Sequence, residues 1–423
     1  MNSELQSISR QQRANAASFF NSAGVGLPSE ESRLASQQPA GDWDAVLTEV
    51  RSHFSHLLGM PEEHVTLFHN TTAGIQRVFL RISQMLRSRN AVLLTTDLEY
   101  PGTVAMVDEC WQGPMIMAEV AHLLWEGRSA EMADALKAAF LRTRPAVIYI
   151  SHVSRAFGHP IDIEFLRFAK EINPGVLIVA DGAQAIGNIP VGRDMLGLVD
   201  FYVTSGHKWL CGKPTLGLVC ADPRWHIPDQ AQAYSRLSGS GGTGNLETLC
   251  ATAVALRDFH DVESGAPWRS NRIHAHNAAL ATLFCDLLEE AALPLTPLRC
   301  LPGNRTAWPA NGIVAVQGDI ARFSPVIDTS GDLRRLGQTA SEGRVLAAHV
   351  RREPWVVSRS PGRRAPRALA VYRQDHVALR TICLRDDALS VPIPDGGLLR
   401  FCFHYFHASK DVIGLVRLLK SVA

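Results

Sequence analysis

Two apolar runs that each end in polar side chains place the strongest constraint on the fold of this chain. Residues 176–180 are followed by Asp181 and Gln184, and residues 201–203 lead into a Ser-Gly-His-Lys sequence at 205–208. Unbroken apolar runs of this kind are typical of buried parallel strands. The carboxyl ends of such strands lie side by side at one edge of an open α/β sheet, where ligands bind. The pattern therefore predicts an acid, an amide, a hydroxyl, an imidazole and an amine around one small space.

This set of side chains suits pyridoxal 5′-phosphate. Lys208 supplies an amine that can bond to the cofactor aldehyde, and burial helps because it lowers the pKa of the ammonium. Asp181 supplies a carboxylate that keeps the pyridine nitrogen protonated. Gln184 offers a donor to the ring oxygen, and Ser205 and His207 offer partners to the phosphate. Singly, each has a plainer explanation, since a lone lysine after a strand usually faces solvent and a lone aspartate usually caps a helix. Only the combination favours the cofactor.

Asp-x-x-Gln followed 21 residues later by Ser-x-His-Lys resembles the motif of the class V aminotransferase family of fold-type I pyridoxal phosphate enzymes. That family includes cysteine desulfurases, kynureninase, isopenicillin N epimerase-like proteins and carbon–sulfur lyases. The resemblance covers roughly residues 17–265 and resumes at about 398–420. It implies that Lys208 is the catalytic residue and that Asp181, Gln184, Ser205 and His207 bind the cofactor.

Three further segments resemble the cofactor-binding parts of the family. Thr71 and Thr72 stand where a predicted helix begins and match the phosphate turn, because a helix N-terminus favours an anion. Either threonine could also be a simple helix cap. Tyr100 occupies the position of the ring that stacks on the cofactor, although it could instead anchor the loop before a proline. Thr243, in a glycine-rich turn, matches a threonine that relatives donate from the neighbouring subunit, which implies a homodimer whose sites are completed by Thr243.

The residues expected near the substrate resemble the family at some positions and differ from it at others. Asn21, Ala23 and Gly24 match a loop that covers the substrate, and small residues there let backbone approach a ligand. Arg400 matches an arginine that grips the substrate carboxylate, with a strand-edge ion pair as the alternative. Arg155 stands where the family has an asparagine that contacts the ring oxygen. It could hold that oxygen ionised, bind a substrate carboxylate or turn outward.

Two other stretches depart from the family. Phe406 and His407 replace a tyrosine and an asparagine, which predicts an altered substrate pocket. Residues 351–380 contain eight arginines against two acidic residues. That run is typical of a solvated face or loop, and it could also be a surface for an anionic substrate or partner.

The alternation of elements predicts an α/β fold. Predicted strands at 65–68, 91–95, 146–151, 176–181, 201–205 and 216–220 alternate with predicted helices at 43–58, 72–85, 102–111 and 130–143. We therefore expect a large domain with a mostly parallel, doubly wound sheet and a smaller α+β C-terminal domain. The predicted division is an N-terminal segment at 1–30 near the active-site entrance, a large cofactor-binding domain at 31–265 and a small domain at 266–423, which begins with a long helix at 269–291.

Composition and net charge limit the binding partners and the cellular locations that we expect for this chain. The chain has 423 residues and a formal net charge of +1, so bulk charge predicts no attraction to nucleic acid or to an anionic membrane. Eight scattered cysteines without C-x-x-C spacing predict no metal site and no disulfide scaffold, which suits a reducing compartment. No apolar run approaches about 20 residues, and the first residues lack signal-peptide features. We expect a soluble cytoplasmic enzyme with a small-molecule amino-acid substrate.

The cofactor alone leaves the reaction type open, because it stabilises negative charge on Cα in many reactions. Cysteine desulfurases need a cysteine on a mobile small-domain loop, and residues 301–382 contain none, while Cys383 lacks the family's flanking pattern. The interpretation that we favour is β-elimination of the carbon–sulfur lyase type on a cysteine-derived or conjugated amino acid. The alternatives are an aminotransferase, an amino-acid epimerase or, in another class, a catalytically inactive binding protein.

Overall fold

The computed structural model describes residues 19–86, 90–222, 225, 245–262, 272–300, 311–323, 327–328, 345–347, 349–351, 371–374, 377–381 and 398–423. None of the helices within these ranges combines the length and the apolar character that crossing a bilayer requires.

The predicted strands and helices appear in the predicted order, together with elements that were not predicted, among them a strand at Met115–Glu119 and a helix at Ile163–Ile172. In chain order the strands are β1 (Phe19–Phe20), β2 (Val65–Phe68), β3 (Leu93–Thr96), β4 (Met115–Glu119), β5 (Val147–Ser151), β6 (Leu177–Asp181), β7 (Phe201–Ser205), β8 (Gly217–Ala221), β9 (Leu295–Pro297), β10 (Ile313–Gly318), β11 (Ile327–Asp328), β12 (Val345–Ala347), β13 (His349–Arg351), β14 (Val371–Gln374), β15 (Val377–Thr381) and β16 (Leu398–Cys402). The α-helices are α1 (Glu30–Gln37), α2 (Trp43–Leu58), α3 (Thr71–Leu86), α4 (Pro101–Cys110), α5 (Ala121–Trp125), α6 (Met132–Thr143), α7 (Ile163–Ile172), α8 (Arg193–Leu196), α9 (Leu246–Val262), α10 (Arg272–Glu290) and α11 (Ser409–Lys420).

The largest sheet has the strand order β14-β15-β4-β3-β5-β6-β7-β8-β2. Strands β4, β3, β5, β6 and β7 run parallel to one another, whereas β8 is antiparallel to both β7 and β2. The predicted α/β fold with a mostly parallel, doubly wound sheet is confirmed. The chain winds from β3 outward to β4 and then returns to the other side of β3 at β5. The gap between β3 and β5 is therefore a topological switch point, the place where such sheets open a crevice for ligands.

Burial on both faces explains why the central strands read as unbroken apolar runs. Every residue of β6 is buried, and so is every residue of β7. Helix α3 lies very close to the sheet because it carries Gly74 at the contact. A Cβ at Gly74 would lie 2.8 Å from Cγ1 of Val203 and 3.1 Å from Cγ2 of Val219. This close packing fixes the N-terminal end of α3 beside the ends of β7 and β8.

The C-terminal part of the chain builds a second, antiparallel sheet with the order β13-β16-β10-β9. Helices α10 and α11 pack on it, around a core that includes Phe284, Phe401 and Phe403. Residues 371–381 behave differently, because β15 pairs with β4 and extends the large sheet. The predicted boundaries at 30 and 265 stay predictions. Of the arginine-rich segment, the structure describes the backbone of Arg351, Arg373 and Arg380 in strands, and the others lie outside the described residues.

Candidate functional site

The polar residues that the sequence singled out converge at the carboxyl edge of the large sheet. Ser151 at the end of β5 is in register with Asp181 at the end of β6. A cavity of about 400 Å³ opens at this edge. Its walls are formed by Ala23, Gly24, Asn70, Thr71, Thr72, Tyr100, Thr103, Ser151, Val153, Arg155, Asp181, Ala183, Gln184, His207, Lys208, Pro214 and Thr215.

Lys208 projects into the cavity from the turn that follows β7. The N-terminal loop packs against this turn, since the Gly26 N–H donates to the His207 carbonyl over 2.7 Å. A Cβ at Gly26 would lie only 2.0 Å from the Lys208 carbonyl oxygen, so the approach requires glycine. Burial lowers the pKa of Lys208 to about 8, Asp181 opposes the change, and Arg155 and Arg400 add to it. A neutral, nucleophilic amine is therefore accessible close to neutral pH.

Asp181 faces the same space from β6. Its Oδ1 accepts from the Ala183 N–H over 2.9 Å, and the Tyr149 hydroxyl lies 3.5 Å from Oδ2. Burial raises the pKa of Asp181, while the charge of Lys208 lowers it. The carboxylate is thus held in a fixed orientation and lacks a full counter-charge apart from the lysine, which suits pairing with a protonated ring nitrogen.

Gln184 has its amide orientation fixed from both sides. Its Nε2 donates to the Ala23 carbonyl over 2.8 Å, and its Oε1 accepts from the Trp209 indole over 2.8 Å. Because an amide nitrogen carries two hydrogens, one remains for a group inside the cavity. Gln184 therefore joins the N-terminal loop to the sheet edge and still presents a donor to a ligand.

One group of residues, which we call the hydroxyl end, consists of Thr71, Thr72 and His207, which line the cavity, and of the buried Ser205, which does not line it. It lies at the N-terminus of α3 and the end of β7. Asn70 caps the helix, accepting the Ala73 N–H over 2.8 Å. Burial lowers the pKa of His207 to about 4, so its ring is neutral at pH 7.

The hydroxyl end fits a phosphate group. Thr71 Oγ1 and Ser205 Oγ are buried and have no hydrogen-bond partner in the part of the chain that the structure describes. An unsatisfied buried hydroxyl costs about 1–3 kcal/mol, which an anion with several acceptor oxygens would remove. The helix N-terminus adds free N–H groups and a favourable dipole. The residues present therefore fit the phosphate of pyridoxal 5′-phosphate without any cationic side chain among these four.

A second group of residues, which we call the cation end, consists of Tyr100 and Arg155, which line the cavity, and of the buried Arg400, which does not line it and bonds to the Arg155 backbone. The Arg155 guanidinium carbon lies 4.8 Å from the centre of the Tyr100 ring, a cation–π contact. Arg400, buried in β16, donates through Nη1 to the Arg155 carbonyl. Its Nε and Nη2 lack a hydrogen-bond partner among the residues described, and the nearby Cys402 thiol is only a weak acceptor. Nε and Nη2 share one edge of the guanidinium, which matches the two oxygens of a carboxylate.

Sequence reasoning missed a buried acid behind the cation end. Glu99 accepts from the Ser151 hydroxyl and from Thr96 Oγ1, the latter over 2.8 Å. Burial raises its pKa to about 7, and the charge of Asp181 also raises it, against these hydrogen bonds. An acid directly before Tyr100, at the end of a buried strand, was the signal that could have identified it.

The remaining predicted residues take several places. Ala23 and Gly24 line the cavity, whereas Asn21 turns its Oδ1 to the Gly24 N–H at 3.1 Å and shapes the loop instead. Thr243 lies outside the described residues. Phe406 and His407 are buried and are not among the residues that line the cavity, and the altered substrate pocket stays a prediction.

Phe406 and His407 belong to an aromatic cluster under the site. The His404 ring stacks between Trp209 and Phe406, with ring centres 5.3 Å and 4.9 Å away, and His404 Nε2 lies 2.6 Å from the Trp209 carbonyl oxygen. Burial lowers the pKa of His404 to about 3, so this contact is made by a neutral ring. The cluster supports the Lys208 turn from below.

Comparisons with known proteins agree with this geometry. The model of the aminotransferase class-V family matches residues 31–242, half of the chain. Isopenicillin N epimerase from Amycolatopsis lactamdurans is 29% identical over 194 residues, which are 44% of this chain and 45% of that protein. Cysteine desulfurase from Yersinia pestis (strain Pestoides F) is 24% identical over 257 residues, 60% of this chain and 58% of the relative. The chain thus spans about half the length of the curated relatives that it matches.

Solved structures show the same fold. A cystine C-S lyase in complex with cysteine persulfide superposes with a TM-score of 0.66 at 15% identity, covering 96% of this chain and 98% of that one. Another structure of that lyase, a lysine variant, holds glycine covalently linked to its PLP cofactor. With its family model matched over half the length and a cavity whose residues fit pyridoxal 5′-phosphate, the chain belongs to the aminotransferase class-V family.

Proposed function

We propose that this protein is a pyridoxal-phosphate-dependent lyase that releases a β-substituent, in particular a sulfur group, from a cysteine-derived or conjugated amino acid. The observation that carries the proposal is that a buried amine, Lys208, shares one cavity with the Asp181 carboxylate and is acted on by the charges of Arg155 and Arg400. The bound cofactor would supply an electron sink for negative charge at the substrate Cα.

The chain's own groups supply the rest of the chemistry. Arg400 binds the α-carboxylate through Nε and Nη2, which positions the substrate. Lys208, with a pKa of about 8, removes the proton from Cα and holds it on Nζ. The hydroxyl end keeps the cofactor phosphate in place while the β-substituent leaves. The Gln184 bond to Ala23 holds the N-terminal loop over the site and so limits the access of water.

Elimination is supported over persulfide-forming desulfuration because residues 301–382 contain no cysteine. The structural similarity to a cystine C-S lyase is in line with elimination, although at 15% identity it reports the fold. An epimerase or aminotransferase is the second candidate, favoured by the isopenicillin N epimerase match over 194 residues. An inactive binding protein is disfavoured by the simultaneous presence of Lys208, Asp181 and Gln184 in one cavity.

The decisive experiment is a comparison of wild type with Lys208→Ala and with a matched control, Lys213→Ala. Lys213 lies five residues further on and pairs with Glu247 and Ser36 outside the cavity. Wild type and the control should show the visible absorption band of lysine-bound cofactor and release pyruvate, ammonia and thiol from cysteine S-conjugates.

We expect Lys208→Ala to lose both the band and the products. Survival of the band in Lys208→Ala would contradict the assignment of the lysine. A band that responds to amino acids without release of pyruvate and thiol would shift the function to transamination or epimerisation. Absence of the band in all three proteins would favour the remaining candidate function, an inactive binding protein.

We also propose a cytoplasmic homodimer that acts on a larger conjugate of secondary metabolism. The dimer follows from the family resemblance at Thr243, and sedimentation of the purified protein tests it. The cytoplasmic location follows from the eight scattered cysteines, whose spacing is typical of neither a metal site nor a disulfide scaffold. A monomer with full activity would exclude a partner's contribution to the site.

A further inference from the structure

Two cysteines lie beside a buried arginine where helix α10 meets the segment after β9. Cys285 belongs to α10 and is buried, whereas Cys300 ends the short 3₁₀ turn Leu298–Cys300 and is half-buried. The two thiols are in hydrogen-bond contact with each other. Neither cysteine belongs to the residues that line the cavity at the sheet edge, so the pair is separate from the site described above.

Arg299 stands next to this thiol pair, and its charge is incompletely paired. Its side chain is buried, and Nη2 donates to Cys285 Sγ over 3.8 Å. Within the part of the chain that the structure describes, Nε and Nη1 have no hydrogen-bond partner, and none of the ion pairs includes Arg299. A buried cation without an acid favours negative charge on a neighbouring group. Ionisation of one of the two thiols would supply that charge.

The two thiols differ in which of them can ionise. The hydrogen bond to Cys300 and burial raise the pKa of Cys285, and the charge of Arg299 opposes that change. Cys285 therefore keeps its proton and donates it to the Cys300 sulfur, so the negative charge resides on Cys300. Cys300 is also the partly exposed member of the pair, and a thiolate is the form of cysteine that attacks electrophiles.

We propose that Cys300 and Cys285 form a peroxide-reactive pair, in which Cys300 attacks a hydroperoxide and Cys285 closes a disulfide. In the first step the Cys300 thiolate bonds to one oxygen of hydrogen peroxide, the O–O bond breaks, and the departing hydroxide takes up a proton. In the second step the Cys285 sulfur attacks the Cys300 sulfur, the S–O bond breaks, and the thiol proton leaves with the oxygen as water. The two thiols lose two electrons, and the peroxide gains them. Disulfides that form transiently in this way also occur in reducing compartments.

Peptide mass spectrometry tests the pairing directly, since trypsin cleaves after Arg299, between the two cysteines. The full chain is treated with one equivalent of hydrogen peroxide and digested without reductant. We expect peptides 273–299 and 300–305 to be joined, with the loss of two hydrogen atoms in mass, and to separate on reduction. In Cys285→Ser the reaction should stop at a sulfenic acid on Cys300, which dimedone traps. In Cys300→Ser the thiol of Cys285 should remain unoxidised.

A second measurement tests the contribution of Arg299. Iodoacetamide should alkylate Cys300 about tenfold faster than Cys110, the effect of one pKa unit on the fraction of thiolate. Cys110 is the matched control because it is also half-buried, and burial and the charge of Glu109 raise its pKa. Arg299→Gln should remove the advantage of Cys300. Arg299→Lys should keep part of it, and it covers the case in which the glutamine variant does not fold.

Three results would overturn the proposal. Peroxide that joins Cys300 to a different cysteine, or that joins no cysteines, removes the pair. Equal alkylation of Cys300 and Cys110 in wild type removes the thiolate, and an unchanged rate in Arg299→Gln removes the role of the arginine. These measurements use protein without substrate, so their outcome is independent of whether pyruvate and thiol are released in the test of the proposed function.

Discussion

The hydroxyl end and the cation end of the cavity both fit anions, and they do so by opposite means. At the hydroxyl end, Thr71, Ser205 and a neutral His207 surround a helix N-terminus, and no cationic side chain belongs to the set. At the cation end, the Arg155 guanidinium lines the cavity against the Tyr100 ring, and the buried Arg400 donates to the Arg155 carbonyl. A phosphate that stays bound can be held by many fixed neutral donors. A substrate that must arrive and leave is better selected by charge and by a planar fork.

This difference separates two functions along one sheet edge. We expect retention of the cofactor to depend on groups after β7 and β2, and selection of the substrate to depend on groups after β3 and β5 and within β16. Asp181 and Lys208 stand between them and serve both. Changes at the two ends should therefore alter different measurable quantities, and their effects should be nearly additive.

The largest effect at either end is expected from Arg400→Gln. The variant removes the fork for the α-carboxylate, and loss of one partner of a buried charge pair costs about 3 kcal/mol, a factor of about 100 in kcat/KM. Cofactor absorbance should be nearly unchanged. Arg417→Gln, at an exposed position of α11, is the control. Steady-state kinetics gives kcat/KM, and a spectrum of the same sample gives the cofactor content. Loss of the cofactor with an unchanged KM would contradict the separate roles of the two ends.

A smaller effect, on cofactor affinity instead of kcat/KM, is expected from Ser205→Ala. The variant removes a buried hydroxyl that has no partner within the described residues, so the cofactor-free protein should not become less stable. The cofactor dissociation constant should rise about tenfold, the value of one hydrogen bond to a charged group. The KM for the amino-acid substrate should stay at its wild-type value. Ser421→Ala, at an exposed C-terminal position, is the control, and equal cofactor affinity in both variants would contradict the phosphate assignment.

Much of this arrangement could be predicted from the sequence because it depends on local patterns. Asp181 and Lys208 each follow an apolar run. Parallel strands bring their carboxyl ends together independently of the conformation of the loops between them. The six predicted strands of the large sheet are found within two residues of their predicted bounds. Strand β4 was missed, since Met115–Glu119 lacks the β-branched runs that mark its neighbours.

What the sequence could not predict depends on contacts between distant segments. The Arg400 bond to the Arg155 carbonyl joins residues 245 positions apart, and no local pattern announces it. The pairing of β15 with β4 is equally remote. Asn21 looked like a substrate ligand by its place in the motif, yet its side chain closes a turn three residues away. The ionisation of Glu99 follows from burial, which only the assembled fold determines.

An effect on stability, and not on the affinity for cofactor or substrate, is expected from Glu99→Gln, and it depends on pH. Burial raises the folded-state pKa of Glu99 from 4.5 to about 7, so the folded protein retains a proton that the unfolded chain loses between those values. Its contribution to the unfolding free energy is therefore complete below pH 4.5 and is lost as pH rises through 7, by at most about 3 kcal/mol. Urea unfolding at pH 5 and pH 8 should show a smaller decrease in the variant than in wild type. Asp97, whose pKa burial also raises to about 7, leaves part of the decrease in both.

Titration of Glu99 should change the electrostatic field at the cation end and leave the hydroxyl end unchanged. Below pH 7 Glu99 is neutral and the two guanidinium groups act at full strength, whereas above pH 7 a carboxylate behind Ser151 offsets part of their field. Succinate, a small dicarboxylate, should therefore bind wild type more weakly at pH 8 than at pH 6, and this change should shrink in Glu99→Gln. Lys208 is present in both proteins, so the difference between their pH profiles isolates Glu99. Identical pH profiles would show that Glu99 keeps its proton throughout, and that the charge of the cation end is set by its arginines alone.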